Sequence, residues 1–222
     1  MWTMSAEVYR VLDARLPHHA GSSTAGLTAV PVDQIRDPAW LEAQISAAGR
    51  LYRCVDRGVL GVLWWYSASS VLLAPTAESW LVTGHALDPA AVHLYLHRDG
   101  RLLAARAVAT CADPGPRLHK VVDGAVSAVS AATGASARAL WAIATDSLAN
   151  RVLWAGGGPA DAVAMAHSVG PDLPVPRFVD VGGRTVVRRA SCCLVYETPG
   201  ADKCVSCPRQ LPAERLRRLQ AW

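Results

Sequence analysis

Four cysteines crowd one short stretch near the C-terminus. Cys192 and Cys193 are adjacent, Cys204 follows after ten intervening residues and Cys207 after two more, giving Cys-Cys-x10-Cys-x2-Cys. These are four of the six cysteines in a 222-residue chain. Four thiolates in such a cluster can hold a tetrahedral Zn²⁺ or a [2Fe–2S] centre. Two disulfides are the third chemistry, but those belong to small secreted frameworks. The opening residues, Met1-Trp2-Thr3-Met4-Ser5-Ala6-Glu7, have neither a basic n-region nor a continuous apolar run, so no secretion signal is read there. The expectation is a cytoplasmic protein with reduced, metal-binding thiols.

Cys204-Val205-Ser206-Cys207 is the ordinary half of the motif. Two residues between thiolates let a tight turn aim both sulfurs, and free backbone N–H groups, at one centre. The adjacent pair is the unusual half. Neighbouring side chains diverge along extended backbone, so Cys192 and Cys193 can serve one centre only where the chain bends. Zinc sites usually use two spaced knuckles, which argues against zinc here.

The spacing, followed by Pro208, resembles the C-terminal signature of the FhuF family, bacterial [2Fe–2S] ferric-siderophore reductases. Leu140-Trp141 and Asn150 lie in a helical segment similar to that family's region before the cysteines. The resemblance implies a [2Fe–2S] cluster held by Cys192, Cys193, Cys204 and Cys207, with no catalytic residue separate from the cluster. It implies a substrate, a ferric siderophore, and a role in iron acquisition: one-electron reduction of chelated Fe(III) to Fe(II). An external electron donor is needed, either a ferredoxin, a flavoprotein, or reduced pyridine nucleotide acting through a reductase. Two other readings stay open: an iron–sulfur electron-transfer partner with no siderophore site, and a zinc-stabilised interaction domain.

The charge is placed around the cysteines. The net charge is +4, yet residues 184–222 alone hold eight basic residues against three acidic ones. That positive field can offset an all-thiolate cluster or steer an anionic chelate. Arg188, Arg189, Lys203 and Arg209 are the candidates for steering. Aromatic residues are not interleaved with these cations, Tyr196 excepted, so nucleic acid is not the expected partner.

The rest of the chain must build the platform. It is 51% hydrophobic and 18% charged, with one Phe against eight Trp, which fits a packed globular body. The reading is α+β: predominantly helical, with a central antiparallel β-hairpin or small sheet and a C-terminal cysteine-rich loop. It divides into a mixed body of residues 1–183, bearing the ferric-chelate site, and a cluster-binding segment of residues 184–222. Residues 4–16 predict an amphipathic helix with Ser5 as N-cap. A second helix starts at Asp37-Pro38, Asp37 capping and Pro38 in the first turn, and runs towards Val55. Residues 58–77 carry no charge; with Tyr66, several serines and Pro75 among them, they predict a central buried helix broken or kinked at Pro75, not a stable membrane span. Trp64, Trp65 and Tyr66 on that helix read as core, with a ligand pocket as the alternative.

Residues 91–107 alternate and predict a hairpin with a type I′ turn at Asp99-Gly100. One face of its first strand shows His93, Tyr95 and His97, candidate contacts for an anionic metal chelate as well as an ordinary solvent face. His18-His19 reads as a polar loop. Residues 110–117 read as a Pro/Gly-rich loop, followed by helices over 118–132, 136–155 and 160–169. Gly156-Gly157-Gly158 follows a helix and fits no dinucleotide or Walker pattern, so no nucleotide site is expected. A hairpin turning at Gly182-Gly183 then delivers the chain to Cys192, and a short basic helix over 211–222 closes it. Cys54 and Cys111 lie outside the motif; Cys54 reads as a small buried apolar residue.

Overall fold

The computed structural model describes residues 4–221. Its centre is one long helix, α3, Arg57–Thr83. Asp56 caps it, the carboxylate accepting from the Val59 N–H at 3.0 Å. The helix is apolar nearly all round, which is the pattern of an element enclosed by protein on most sides. Among the described residues it is the one helix long and apolar enough to cross a membrane, and 72% of its apolar window is buried against the rest of the chain. Of the expected break or kink at Pro75, the break does not occur: α3 continues through it. Pro75 removes one backbone donor, but it is buried among packed neighbours, and tertiary packing holds the helix together across it.

The other elements wrap this rod. Helix α1 (Met4–Arg15) lies against it. Ser5 is not its N-cap; the helix already includes Met4, and the Ser5 hydroxyl donates instead to the Val108 carbonyl at 3.0 Å. Strand β1 (Thr28–Pro31) leads through a 3-10 turn, Val32–Arg36, into α2 (Pro38–Tyr52). Asp37 caps α2 as the sequence predicts, accepting from Trp40 N at 2.7 Å. Arg53, in the left-handed region, ends the helix before Val55.

After α3 come β2 (Ala86–Leu87), β3 (Val92–Leu96), β4 (Leu102–Ala107) and β5 (Thr110–Cys111). The larger sheet has the antiparallel order β1-β3-β4; β2 and β5 form a separate antiparallel pair. The β3–β4 hairpin is where the sequence places it, but its turn is not type I′. Gly100 has φ +91°, whereas Asp99 has no positive φ. The His97 N–H donates to the Arg101 carbonyl and the Gly100 N–H to that of His97, the pattern of a longer loop closed by a left-handed glycine.

Helix α4 spans Pro114–Thr133, so the expected Pro/Gly-rich loop is largely its first turn, with Pro114 at the helix start. Helix α5 (Ala137–Trp154) runs beside α3, and α6 (Pro159–Val169) covers α4 and α5. The α3–α5 seam is dry and bonded. Trp65 Nε1 donates to the Leu140 carbonyl at 2.8 Å, the Ser69 and Ser147 hydroxyls meet at 2.8 Å, and Arg151 reaches buried Glu78 at 3.1 Å. Buried His19, from the pair read as a polar loop, is a structural group bound to Asp13 at 2.8 Å and to the Gly21 N–H at 3.1 Å.

The α4–α6 contact depends on a missing side chain. A Cβ at Gly115 would sit 2.2 Å from the Ser168 carbonyl oxygen. Backbone cannot yield as a flexible side chain does, so Gly115→Ala should cost about 1–3 kcal/mol or more. Chemical denaturation checks this; an unchanged midpoint would refute the close approach.

Strands β6 (Phe178–Val181) and β7 (Arg184–Val187) form the C-terminal hairpin. Gly182 and Gly183 have φ +57° and +78°, the two positive values that a type I′ turn demands. Helix α7 (Pro212–Gln220) packs on β6. The fold is predominantly helical α+β, as the sequence predicts.

Candidate metal centre

The hairpin sets the entry to the cysteines. Its last rung is Phe178 opposite Val187, and the Arg188 N–H then donates to the Arg177 carbonyl at 2.8 Å. Val187 is buried and β7 packs on α5. From α5, Asp146 receives the chain: its carboxylate accepts from the Ala190 N–H at 2.9 and 3.1 Å, and from the Ser191 N–H at 3.4 Å. One buried side chain thus pins the backbone immediately before Cys192.

The bend that the adjacent pair requires is present at Leu194. Its φ is +61°, in the left-handed region that a bulky residue rarely adopts. Leu194 packs its side chain against the core. The bend turns consecutive backbone N–H groups inward: that of Leu194 serves the Cys192 sulfur, and that of Val195 serves the Cys193 sulfur. Successive inward N–H groups of this kind form an anion-binding nest. A 3-10 turn, Val195–Glu197, starts the outward loop. The return is the Cys204–Cys207 turn, closed by the Cys207 N–H on the Cys204 carbonyl at 3.0 Å and braced by the Gln210 amide on that same carbonyl.

The thiols meet two by two. Cys192 Sγ lies 3.7 Å from Cys207 Sγ. Cys193 and Cys204 interact as the second couple. Arg189 Nη1 reaches both members of that couple, at 3.7 Å from Cys193 Sγ and 3.5 Å from Cys204 Sγ. Among the described residues, no set of three or more His, Cys, Asp or Glu side chains converges on one point. A lone tetrahedral ion needs its four ligands together, whereas a two-iron centre takes two couples.

The electrostatics favour thiolate at Cys193. The hydrogen bond from Cys204 holds Cys193 down to about 5, with Arg189 adding to the effect against the cost of burial. Cys204, the donor in that bond, is correspondingly pushed up, and burial raises Cys192. Within the couple the anionic form is therefore favoured at Cys193 over Cys204. Burial raises Asp146 to about 6, opposed by its backbone hydrogen bonds and by Arg189.

Arg189 is the centre's fixed positive charge. It is only 8% exposed. Burial works against its charge, but the surrounding Tyr66, Cys193 and Cys204 outweigh that, and its pKa ends above the ordinary guanidinium value. Asp146 Oδ2 lies 3.7 Å from its Nε, and the Tyr66 ring lies 4.7 Å beneath its guanidinium carbon. Yet Arg189 Nε and Nη2 are buried without a hydrogen-bond acceptor. Spare donors beside paired thiols and a backbone nest fit an anionic, sulfide-bearing group.

The other sequence candidates scatter. Arg188 is exposed and lines a hollow of about 350 Å³ with Phe178 and Arg215, between the hairpin and α7. Lys203 is exposed, and its Nζ donates to the Arg209 carbonyl at 3.2 Å and lies 5.7 Å from the Tyr196 ring. Arg209 is exposed as well. Arg189 does not belong with these steering residues: it is buried and turned to the sulfurs. His93 and Tyr95 are part-exposed on β3 and His97 just past its end; the main packing partners of β3 are β1, β4, α3 and the 3-10 turn before α2, not the cysteine segment. His97 is engaged by Asp99 at 2.9 Å. Trp65 is core, Trp64 borders a cavity of about 320 Å³ with Tyr52 and Leu103, and half-exposed Tyr66 alone of the three aromatics touches Arg189. Cys54 is partly buried against the core and Cys111 is on β5.

Sequence reasoning missed Asp146 and Gln210, and it read Tyr66 as core with a ligand pocket as the alternative. Asp146 had a signal: a lone carboxylate in the apolar run Leu140–Leu148 of a helix.

The site gathers four cysteines, paired two by two, in a C-terminal loop. A family model, the FhuF 2Fe-2S C-terminal domain, matches residues 189–209. The match begins at Arg189 and takes in all four cysteines, so over this segment the resemblance read from spacing holds. The cofactor is a [2Fe–2S] cluster, and the zinc reading falls. The match makes the chain an iron–sulfur protein similar to ferric-siderophore reductases, with a redox role. No curated protein matches the chain.

Proposed function

We propose that the protein is a cytoplasmic ferric-siderophore reductase, with Cys192 and Cys207 holding one iron of the cluster and Cys193 and Cys204 the other. The observation that carries this is the two-by-two convergence of the thiols under a buried guanidinium. The cluster, when bound, supplies a one-electron relay. The chain's residues do the rest. Asp146 and the Leu194 bend hold the cysteine backbone in place, and Arg189 balances the thiolate charge. Lys203, Arg209 and Arg188 give the exposed side a positive field that draws in an anionic chelate. Residues 1–183 serve as the body and residues 184–222 as the cluster-bearing segment.

The substrate chemistry asks for little more. Fe(III) is a hard ion held by oxygen ligands. One electron converts it to Fe(II), which such chelators hold far more weakly. Reduction therefore frees the metal while every bond within the chelator stays intact. The electron comes from a ferredoxin, a flavoprotein or a pyridine-nucleotide-dependent reductase.

The test is turnover. Anaerobically purified protein, pre-reduced with dithionite and freed of excess reductant, is mixed with ferric hydroxamate, catecholate and citrate chelates. The expected result is reoxidation in step with Fe(II) release, for at least one class. Failure with every class would leave an electron carrier without a siderophore site. For an anionic chelate the second-order rate should fall several-fold from low salt to about 0.15 M, where the Debye length is about 8 Å. A salt-independent rate would remove the steering role of the exposed cations.

A further inference from the structure

We propose that Arg189 sets the reduction potential of the centre, acting as a built-in counter-ion on the Cys193–Cys204 couple and held there by Asp146 and Tyr66. The inference rests on the four cysteines being the cluster ligands. It assigns Arg189 a role that neither the cysteine spacing nor the family match states.

The geometry is one-sided. Nη1 touches Cys193 and Cys204 at 3.7 and 3.5 Å, the two members of one couple. The Arg189 side chain is only 4% exposed, so solvent screens it little. Arginine stays protonated under all ordinary conditions, so the charge is permanent. An added electron places one more negative charge beside this fixed positive one. The reduced state gains more from the guanidinium than the oxidised state does. Hydrogen bonds to cluster sulfurs and local charge are the levers by which a protein moves such a potential. The spare donors on Nε and Nη2 put further hydrogen bonds within the same side chain's reach.

Its mounting limits the effect. Asp146 lies 3.7 Å from Nε and cancels part of the charge, while the Tyr66 ring takes the other face of the guanidinium at 4.7 Å. Asp146 is thus a positioning residue with an opposing field. Removing the guanidinium should lower the potential; removing only the carboxylate charge should raise it. A purely structural role for the pair predicts no such opposition of sign.

The experiment is an EPR-monitored redox titration of loaded protein at pH 8, with dithionite supplying one electron per cluster. Wild type is compared with Arg189→Gln, Arg189→Lys, Asp146→Asn and, as an exposed control, Arg188→Gln. Arg189→Gln should shift the reduction equilibrium at least tenfold towards the oxidised form, a fall of about 59 mV for one electron. Arg189→Lys should recover part of that shift, and Arg188→Gln should move it less than twofold. A cluster-bearing Arg189→Gln protein within twofold of wild type overturns the proposal. Should Arg189→Gln fail to load, Asp146→Asn decides: a rise of threefold or more supports the proposal, and no change or a fall overturns it. Failure of the underlying ligand reading looks different, because the wild type itself would then show no visible bands and no EPR signal on reduction.

Discussion

Cys193→Ser is expected to abolish most of the visible absorption of the purified protein, whereas Cys54→Ser and Cys111→Ser should leave it intact. Cys193 carries the depressed pKa of its couple, takes the Val195 N–H and faces Arg189. A serine oxygen is harder and less readily ionised than thiolate and suits iron–sulfur ligation poorly. Cys192→Ser should do the same through the other couple, 3.7 Å from Cys207. Cys54 packs against the core and Cys111 pairs with Ala86 across a short ladder, so neither reaches the site. The readouts are the visible spectrum and iron per chain after anaerobic purification. An unchanged spectrum for Cys193→Ser would sink the ligand assignment.

Trp65→Ala carries the largest expected loss of stability. Trp65 is fully buried at the α3–α5 seam, and its indole N–H is the donor to the Leu140 carbonyl. Truncating a buried aromatic costs about 3–5 kcal/mol through lost transfer energy and the cavity left behind. Against a typical total of about 5–15 kcal/mol, that is a large share. Here it also reaches the metal centre. Leu140 lies less than two turns before Asp146 on α5, and Asp146 holds the backbone of Ala190 and Ser191. The variant should show both a lower urea midpoint and reduced iron content. A loss below about 1 kcal/mol would show that the seam repacks around the gap.

The sequence-legible parts are those decided by local chemistry. The cysteine spacing announces the centre, Asp37-Pro38 announces the start of α2, and Gly182-Gly183 announces the turn of the last hairpin, two glycines that supply the two positive φ values found there. The parts that stay hidden are decided by tertiary contact. Pro75 is a helix breaker by local rules, and only burial on several sides keeps α3 continuous. Ser5 has the right chemistry for a cap and spends its hydroxyl on Val108 instead. Asp99-Gly100 has the composition of a tight turn, but the ladder of β3 and β4 closes it with one more residue. Asp146 is 44 residues from Ala190, and no spacing rule links them. Arg189 reads as one more cation of a basic tail, and its burial, the property that changes its role, cannot be seen in composition.

The division of the adjacent cysteines between two couples has a mechanical consequence. Each couple joins one end of the 194–203 excursion to the other: Cys192 to Cys207, and Cys193 to Cys204. A cofactor bound to both couples is a double cross-link across that loop. Closing a loop of about 15 residues by a covalent bridge removes denatured-chain entropy worth about 3 kcal/mol. Iron would then act as a staple as well as an electron carrier. The loaded protein should hold the 194–203 excursion shut, while the iron-free chain should offer those residues to proteases first. The protein's lifetime in the cell would follow its iron.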